Sequence, residues 1–288
     1  MDQYSSIIKI IECPRDAMQG FEHFIPTETK INYLNLLLKA GFDTLDFGSF
    51  VSPKHIPQMR DTALVLEKLN LSASKTKLLA IIANYRGAED ACRFEQIKYI
   101  GFPLSASETF QKKNTNQSIE QAFESLEEIN ELCVKNNKTL VVYISMGFGN
   151  PYGDVYNSEL IFNLVEKLKL LKIKIISFAD TVGLAKPDEI FNLYTSIVPQ
   201  FTEIEFGVHL HSSSNNIYEK IEAAYNAGCK RFDGALKGFG GCPMAEDELI
   251  GNIPTELIID FFEKKEIDLK INKVVLNDAL IQVDKVFI

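Results

Sequence analysis

Ile204-Glu205-Phe206-Gly207-Val208-His209-Leu210-His211 is a mostly apolar run that reads as a buried β-strand. In a strand, residues i and i+2 point to the same face. His209 and His211 therefore project together, and they are half of the chain's four histidines. Two readings are open for such a pair. The histidines can be satisfied by hydrogen bonds in a core or edge strand, or they can be two ligands of a divalent metal. The second reading requires further ligands from distant parts of the chain.

Outward from this strand the chain repeats one rhythm. Upstream, Ile173 to Phe178 is a strand and Pro187 to Val198 a helix with proline in its first turn. Downstream, Asn215 to Ala227 is a helix closed by Gly228, and Arg231 to Leu236 a strand. Further strands are expected at Ile7 to Glu12, Phe42 to Phe47, Lys77 to Ala83, Ile97 to Leu104 and Thr139 to Ile144. Between them lie a helix capped by Thr27 and ended by Gly41, then Met59 to Leu69, Arg86 to Phe94, Ser118 to Asn136 and Glu159 to Leu171. A glycine-rich loop and a last pair of helices follow strand eight. Eight strands alternating with eight helices imply a parallel sheet, and eight units argue for a closed (β/α)8 TIM barrel of the α/β class. The expected organisation is one catalytic domain over residues 1–288, with the barrel at about 7–265 and a C-terminal helical extension at about 266–288. An open doubly wound sheet is the alternative. It would carry a glycine fingerprint after strand one, where this chain has Cys13-Pro14-Arg15-Asp16.

Composition narrows the function classes. A chain of 288 residues with 46% hydrophobic and 24% charged residues can bury a sizeable core. A net charge of -9 gives a nucleic-acid role no support. No apolar run approaches the ~20 residues of a membrane span, and Met1 to Ile11 has no signal-peptide pattern. The five cysteines, at 13, 92, 133, 229 and 242, lack paired spacing, which fits reduced thiols in a cytoplasmic enzyme.

Chemistry in a barrel of this type gathers at the C-terminal ends of the strands. Those ends are polar throughout: Glu12, Arg15, Asp16 and Gln19 after strand one; Asp46 and Ser49 at strand two; Tyr143 and Ser145 at strand five; Asp180-Thr181 at strand six; both histidines at strand seven; Gly240-Gly241-Cys242-Pro243 and Asn252 after strand eight. The opening Glu12-Cys13-Pro14-Arg15-Asp16-Ala17-Met18-Gln19 resembles that of the metal-dependent (β/α)8-barrel lyases and synthases. Ser49-Phe50-Val51-Ser52-Pro53-Lys54, Ser107-Glu108 with Lys112-Lys113-Asn114, Asp180-Thr181-Val182-Gly183 and Gly238-Phe239-Gly240-Gly241-Cys242-Pro243 resemble the 3-hydroxy-3-methylglutaryl-CoA lyases in particular. The resemblance covers nearly the whole chain, from about Ile8 to the last helices.

The resemblance implies a divalent metal, Mg or Mn, held by Asp16, His209, His211 and Asn252, a donor set without thiolate. It implies an acyl-CoA substrate whose hydroxyl is acidified on the metal, a carbon–carbon cleavage releasing acetoacetate, and protonation of the acetyl-CoA enolate. Arg15 is then the stabiliser of the enolate oxygen, Cys242 the proton donor, and Asp46 and His209 further catalytic groups. Asp180 can orient the arginine, move a proton or cap the following helix. Gln19, Ser49, Tyr143 and Thr181 are pocket contacts, and Lys112 and Lys113 either meet CoA phosphates or form a solvated surface pair. Plainer roles stay open: a turn carboxylate for Asp16, a helix cap for Asn252, a salt bridge to Asp46 or Glu12 for Arg15, a buried inert thiol for Cys242. The expected partners are the acyl-CoA and a second copy in a homodimer, with no nucleic acid and no membrane.

Several positions depart from the lyase pattern. Asp46 stands in place of glutamate, Val141 in place of a substrate-facing arginine, and Ser212-Ser213-Ser214-Asn215 follows His211 in place of aspartate-threonine. The stretch Gly147-Phe148-Gly149-Asn150 has no cysteine before its Pro151, and the loop from Cys242 to Asn252 is one residue longer than usual. The rival class is a Claisen-type synthase joining an acyl-CoA to a 2-oxo acid, which usually carries a C-terminal domain beyond the barrel.

Overall fold

A computed structural model describes residues 8–212, 216–241 and 250–287 of the chain. The strands are β1 (Lys9–Glu12), β2 (Thr44–Ser49), β3 (Lys77–Ile81), β4 (Ile97–Ser105), β5 (Thr139–Ser145), β6 (Ile175–Asp180), β7 (Glu205–Leu210) and β8 (Arg231–Gly234). The helices are α1 (Pro14–Gln19), α2 (Thr27–Leu37), α3 (Thr62–Glu67), α4 (Tyr85–Cys92), α5 (Glu108–Thr115), α6 (Ile119–Lys135), α7 (Ser158–Leu170), α8 (Pro187–Ile197), α9 (Ile217–Asn226), α10 (Thr255–Lys264) and α11 (Lys273–Val286). The strands pair in sequence order, all parallel, and β1 pairs with β8 to close the barrel. The open-sheet alternative is thereby excluded.

Each strand is buried on both faces, as a parallel sheet wrapped by helices requires. The outward side chains form the main core with the helices, Ile10, Leu45, Phe102, Val142, Phe178 and Phe232 among them. The inward ones fill the barrel, where Leu79, Tyr99, Val141 and Ile175 make a separate small core below Tyr143. Local chemistry sets the helix starts. Ser118 and Gln121 form a reciprocal capping box before α6, while Asn84, Ser107 and Asn157 accept from backbone N–H groups at the starts of α4, α5 and α7.

Some boundaries differ from expectation. Thr27 is the first residue of α2 rather than its cap, since Pro26 precedes it and the Thr27 hydroxyl donates to Asp61 Oδ2 at 2.8 Å. Strand eight stops at Gly234 because Ala235 leaves the ladder and donates its N–H to Ile253 O, 3.1 Å away. His211 lies just past β7, in an isolated antiparallel bridge with Asn252. The short helices α1 and α5, six and eight residues long, add to the expected elements. Beyond α10, helix α11 returns to the rim of the barrel, where Phe287 stacks on Phe239 with ring centroids 4.5 Å apart. Among the described residues no helix is long and apolar enough to cross a membrane.

Glu12 faces outward rather than into the barrel. It is fully buried and accepts hydrogen bonds from Leu236 N at 3.0 Å and from the Thr255 hydroxyl, tying β1 to both ends of the loop after β8. Burial pushes its carboxyl up from 4.5 to about 8. A folded-state pKa above the unfolded one means stability that is complete below about pH 4.5 and is lost as pH rises through about 8. Thermal melts should therefore show wild-type Tm falling between about pH 4.5 and pH 8, with Glu12→Gln removing most of the decline. At roughly 1.4 kcal/mol per unit the effect is a few kcal/mol. Identical pH slopes for the two proteins would show that Glu12 is already ionised in the fold.

Candidate active site

The C-terminal mouth of the barrel opens into a cavity of about 410 Å³, with Arg15, Asp16, Gln19, Asp46, Tyr143, Thr181, His209 and His211 in its walls. Cys13-Pro14 turns the chain directly from β1 into α1. That turn brings Arg15 and Asp16 over the barrel axis, both buried. All three nitrogens of the Arg15 guanidinium make hydrogen bonds. Nε donates to both Asp46 oxygens at 3.2 and 3.0 Å, Nη2 to Asp46 Oδ2 at 2.5 Å, and Nη1 to Asp16 Oδ1 at 3.0 Å and Gln19 Oε1 at 2.7 Å. Gln19 Nε2 also donates to Asp16 Oδ1, at 3.0 Å. The planar fork is thus locked by charge-assisted bonds. Burial raises the Asp46 carboxyl to about 6 against the pull of Arg15. Burial works in the same direction on Asp16, but Arg15 and the two histidines outweigh it and hold that carboxyl below its ordinary range.

His209 and His211 share a face, their ring centroids 5.2 Å apart. His211 Nδ1 lies 3.0 Å from Thr181 O, so it must carry the hydrogen and leave the Nε2 lone pair exposed to the site. Burial, with His209 adding to it, lowers the His211 pKa to about 4, so the ring is neutral. His209 Nδ1 faces Asp233 Oδ2 at 3.4 Å, and its Nε2 lies 4.0 Å from Asp16 Oδ2. Asn252 is buried, and its Nδ2 donates to Asp16 Oδ2 at 2.8 Å and Phe239 O at 2.9 Å. Those two acceptors fix the orientation of the amide, so Oδ1 points the other way. Asn252 does not cap the next helix, whose flanking residue is Pro254.

The donor set fits a divalent cation. Ligand atoms of Asp16, His209 and His211 all lie within 4.8 Å of one another. Among the described residues, His211 Nε2 and Asn252 Oδ1 are buried without a hydrogen-bond partner. Such atoms are costly to leave unpaired, and a cation between one carboxylate, two imidazoles and one amide oxygen satisfies them together. Cys13, His209 and Asp233 form a second cluster. It is the poorer set, because burial and the nearby carboxylates push the Cys13 thiol well above its ordinary range and keep it protonated.

Other expected residues fall elsewhere. Asp180 does not line the cavity. Ala179 takes the inward position on β6, and strand alternation turns Asp180 toward α9, where it accepts from Ala185 N at 3.1 Å and Lys220 Nζ at 3.4 Å. Ser49 is buried beside the cavity rather than in its wall, its hydroxyl donating to Ile81 O at 3.2 Å and accepting from Val51 N at 3.1 Å. Thr181 lines the cavity while its Oγ1 accepts from Met146 N at 2.9 Å. Tyr143 lies edge-on to His209, and its hydroxyl has no partner among the described residues. Lys112 and Lys113 separate: Lys112 pairs with Glu108 at 3.0 Å on α5, whereas Lys113 lines the cavity mouth with its Nζ 4.6 Å from the Tyr152 ring centroid. Cys242 and Ser213 to Asn215 lie outside the described residues. The loop leading to Cys242 is nevertheless fastened to the site. A Cβ on Gly240, at φ +97, would stand 2.7 Å from Asn252 Nδ2 and 2.8 Å from Asp16 O.

Two contributors escaped the reading of the sequence: Asp233, which holds His209, and Lys220, whose Nζ donates to His211 O at 3.0 Å. The available signal for Asp233 was the polar pair at i and i+2 in Arg231-Phe232-Asp233, on an otherwise buried strand.

Comparison with known proteins places the site in context. The family model described as HMGL-like matches residues 8–283. Hydroxymethylglutaryl-CoA lyase YngG of Bacillus subtilis is 32% identical over 259 residues, covering 90% of this chain and 85% of the relative. The (R)-citramalyl-CoA lyase of Chloroflexus aurantiacus is 29% identical, with 86% and 81% covered. An HMG-CoA lyase from Acinetobacter baumannii, solved with coenzyme A and 3-methylmalate, superposes with a TM-score of 0.90 at 30% identity, covering 100% of this chain and 93% of that one.

Proposed function

The chain belongs to the HMGL-like family, and from that premise we propose that it is a divalent-metal-dependent carbon–carbon lyase cleaving 3-hydroxy-3-methylglutaryl-CoA to acetyl-CoA and acetoacetate. The observation that carries this reading is the meeting of unpartnered His211 Nε2 and Asn252 Oδ1 with Asp16 and His209, against the locked Arg15 guanidinium.

Asp16, His209, His211 and Asn252 would hold Mg or Mn. When bound, the cation supplies the Lewis acidity that lets the substrate hydroxyl lose its proton near neutral pH. Arg15 would then meet the substrate with its charge already oriented by Asp46, Asp16 and Gln19. Negative charge developing on the enolate oxygen meets a fixed cation that need not reorganise. Cys242, on the loop anchored over Asn252 at Gly240, is assigned the proton that quenches the carbanion. Asp180 acts at one remove, as a positioning residue that ties Lys220 and the β6–α8 connection to the backbone of His211. Tyr143 and Thr181 shape the acyl pocket, and Lys113 at its mouth suits the phosphates of coenzyme A.

Turnover of a panel of 3-hydroxyacyl-CoA thioesters, followed by mass spectrometry of products, tests the assignment. Metal-dependent formation of acetyl-CoA from 3-hydroxy-3-methylglutaryl-CoA alone is expected. Preference for citramalyl-CoA would move the substrate to the chemistry named for the Chloroflexus relative. A requirement for added 2-oxo acid would make the enzyme a synthase.

Asp46 supplies a separate expectation. Asp46→Asn removes the charge that aligns Nε and Nη2 of Arg15, whereas Asp46→Glu keeps it. Turnover should fall on the order of 10²-fold or more in the asparagine variant, and far less in the glutamate variant. Small and equal losses would make Asp46 merely structural.

A further inference from the structure

Helix α5 forms one wall of the cavity mouth. Phe110, Lys113, Asn114 and Thr115 line it, with Asn116 at the helix end. The helix has eight residues and buries two side chains, Phe110 and Gln111. A helix this short is marginal by itself, and so small an apolar face does little to fix its place. Polar ties to its neighbours complete the placement. Gln111 Oε1 accepts from Ser105 N at 2.6 Å, tying α5 back to β4, and Glu108 Oε2 accepts from Ile119 N at 2.9 Å, tying it forward to α6.

A third tie crosses to the β5–α7 connection. Asp154 is half-buried there, and its carboxylate takes three hydrogen bonds from the start of α5. Oδ2 accepts from Ser107 Oγ at 2.5 Å and Thr109 N at 2.9 Å, and Oδ1 accepts from Thr109 Oγ1 at 2.9 Å. These are charge-assisted bonds between two elements. The helix does not need them for its cap, because Ser107 Oγ already accepts from Phe110 N at 3.1 Å. Asn150 braces the connection from within: its Oδ1 accepts from Tyr152 N at 3.0 Å and Asp154 N at 3.1 Å, and its Nδ2 donates to Asp154 O at 3.0 Å. The braced connection presents the Tyr152 ring, which stacks on Phe110 with centroids 6.3 Å apart and lies 4.6 Å from Lys113 Nζ. Two side chains of the mouth, Phe110 and Lys113, thus rest on the segment that Asp154 fastens to their own helix.

We propose that Asp154 is a positioning residue for the coenzyme A arm of the substrate: it clamps the β5–α7 connection to α5 and so sets the wall of the mouth that the arm must pass. The inference rests on the acyl-CoA lyase reading, and its test separates the two. The three carboxylate bonds run to α5, not to Arg15 or the proposed metal ligands. Loss of the clamp therefore loosens the mouth while leaving the cleavage machinery in place.

Kinetics are measured with 3-hydroxy-3-methylglutaryl-CoA and with its N-acetylcysteamine thioester, which lacks the nucleotide and its phosphates. The proteins are wild type, Asp154→Ala, Asp154→Asn, Thr109→Val and the Thr109→Val/Asp154→Ala double variant. Calorimetric titration with free coenzyme A gives Kd for each, and Tm is recorded. Asp154→Ala should raise KM for the CoA ester and Kd for coenzyme A roughly 10-fold, the scale of losing hydrogen bonds to a charged group. Its kcat should stay near wild type, and kcat/KM for the short thioester should not change. Asp154→Asn keeps one acceptor oxygen and should fall between. Thr109→Val should show a smaller rise, and the double variant should bind no worse than Asp154→Ala, since the hydroxyl acts through the carboxylate. Unchanged KM and Kd in Asp154→Ala, a loss carried by kcat instead, or equal losses with both thioesters would overturn the proposal. If Asp154→Ala does not fold, unchanged KM and Kd in Asp154→Asn would overturn it equally. Failure of the wild type to bind coenzyme A or turn over either thioester would instead remove the acyl-CoA lyase reading itself.

Discussion

His211→Ala is expected to bind Mg²⁺ or Mn²⁺ far more weakly than wild type and to lose turnover by at least ~10³-fold, beyond the ~10²–10³ typical for losing one oxyanion donor. The expectation follows from bonding on both sides of the ring. Nδ1 is committed to Thr181 O, so Nε2 can only accept, and it is buried with no partner among the described residues. The ring is neutral through burial and needs to shed no proton to bind a cation. The histidine lies just past β7 rather than within it, and its loss leaves the β6–β7–β8 ladders intact. Tm should accordingly change little in the metal-free state, while the metal-dependent rise in Tm should shrink. Chelation of the wild type should abolish turnover, and Mg²⁺ or Mn²⁺ should restore it. Full activity in a metal-free preparation would end the assignment.

Cys242→Ala should lower turnover by ~10²–10⁴-fold, the usual contribution of a general acid–base group, or roughly 3–5 kcal/mol of barrier. An unperturbed thiol near pKa 8.5 is a workable donor at neutral pH. Cys242 is none of the proposed metal ligands, so metal content and Tm should stay close to wild type. The competing view, a thiol that only packs, expects lost stability with near-normal turnover. Alkylation should inactivate the enzyme, with bound substrate protecting it. Among the other four thiols, Cys13, Cys133 and Cys229 are buried and Cys92 is half-buried. The alkylation experiment is therefore run in a Cys92→Ser background. Wild-type turnover by Cys242→Ala would transfer the proton-donor role to another group, His209 first.

Much of this was legible in the residues before any coordinates. The eight-fold alternation specified the barrel because parallel strands joined by helices, repeated eight times, close on themselves. The two-residue spacing of His209 and His211 placed both rings on one face because strand geometry has period two. Arg15 and Asp16 were visible as a polar pair at a strand end, and the resemblance carried Asn252 into the same site. For Asn252 the sequence by itself also allowed a helix cap. The bond from Nδ2 to Asp16, 236 residues away, decided between the two.

Tertiary structure decided which polar strand-end residues reach the reacting groups. Asp180 and Ser49 have the composition of pocket residues, yet their polar atoms are spent on Ala185, Lys220, Ile81 and Val51. Asp233, Arg231 and Lys220 looked like ordinary members of β8 and α9, yet Asp233 and Lys220 contact the two histidines of the site and Arg231 lies directly beneath. The reason is physical. A strand buried on both faces carries apolar residues in both alternate sets, so alternation by itself is a weak guide to which set points into the barrel. A one-residue change of phase exchanges the two sets completely. Only closure of the ring, which pairs Ala179 with His209 and His209 with Asp233, chooses the phase and so the members of the site.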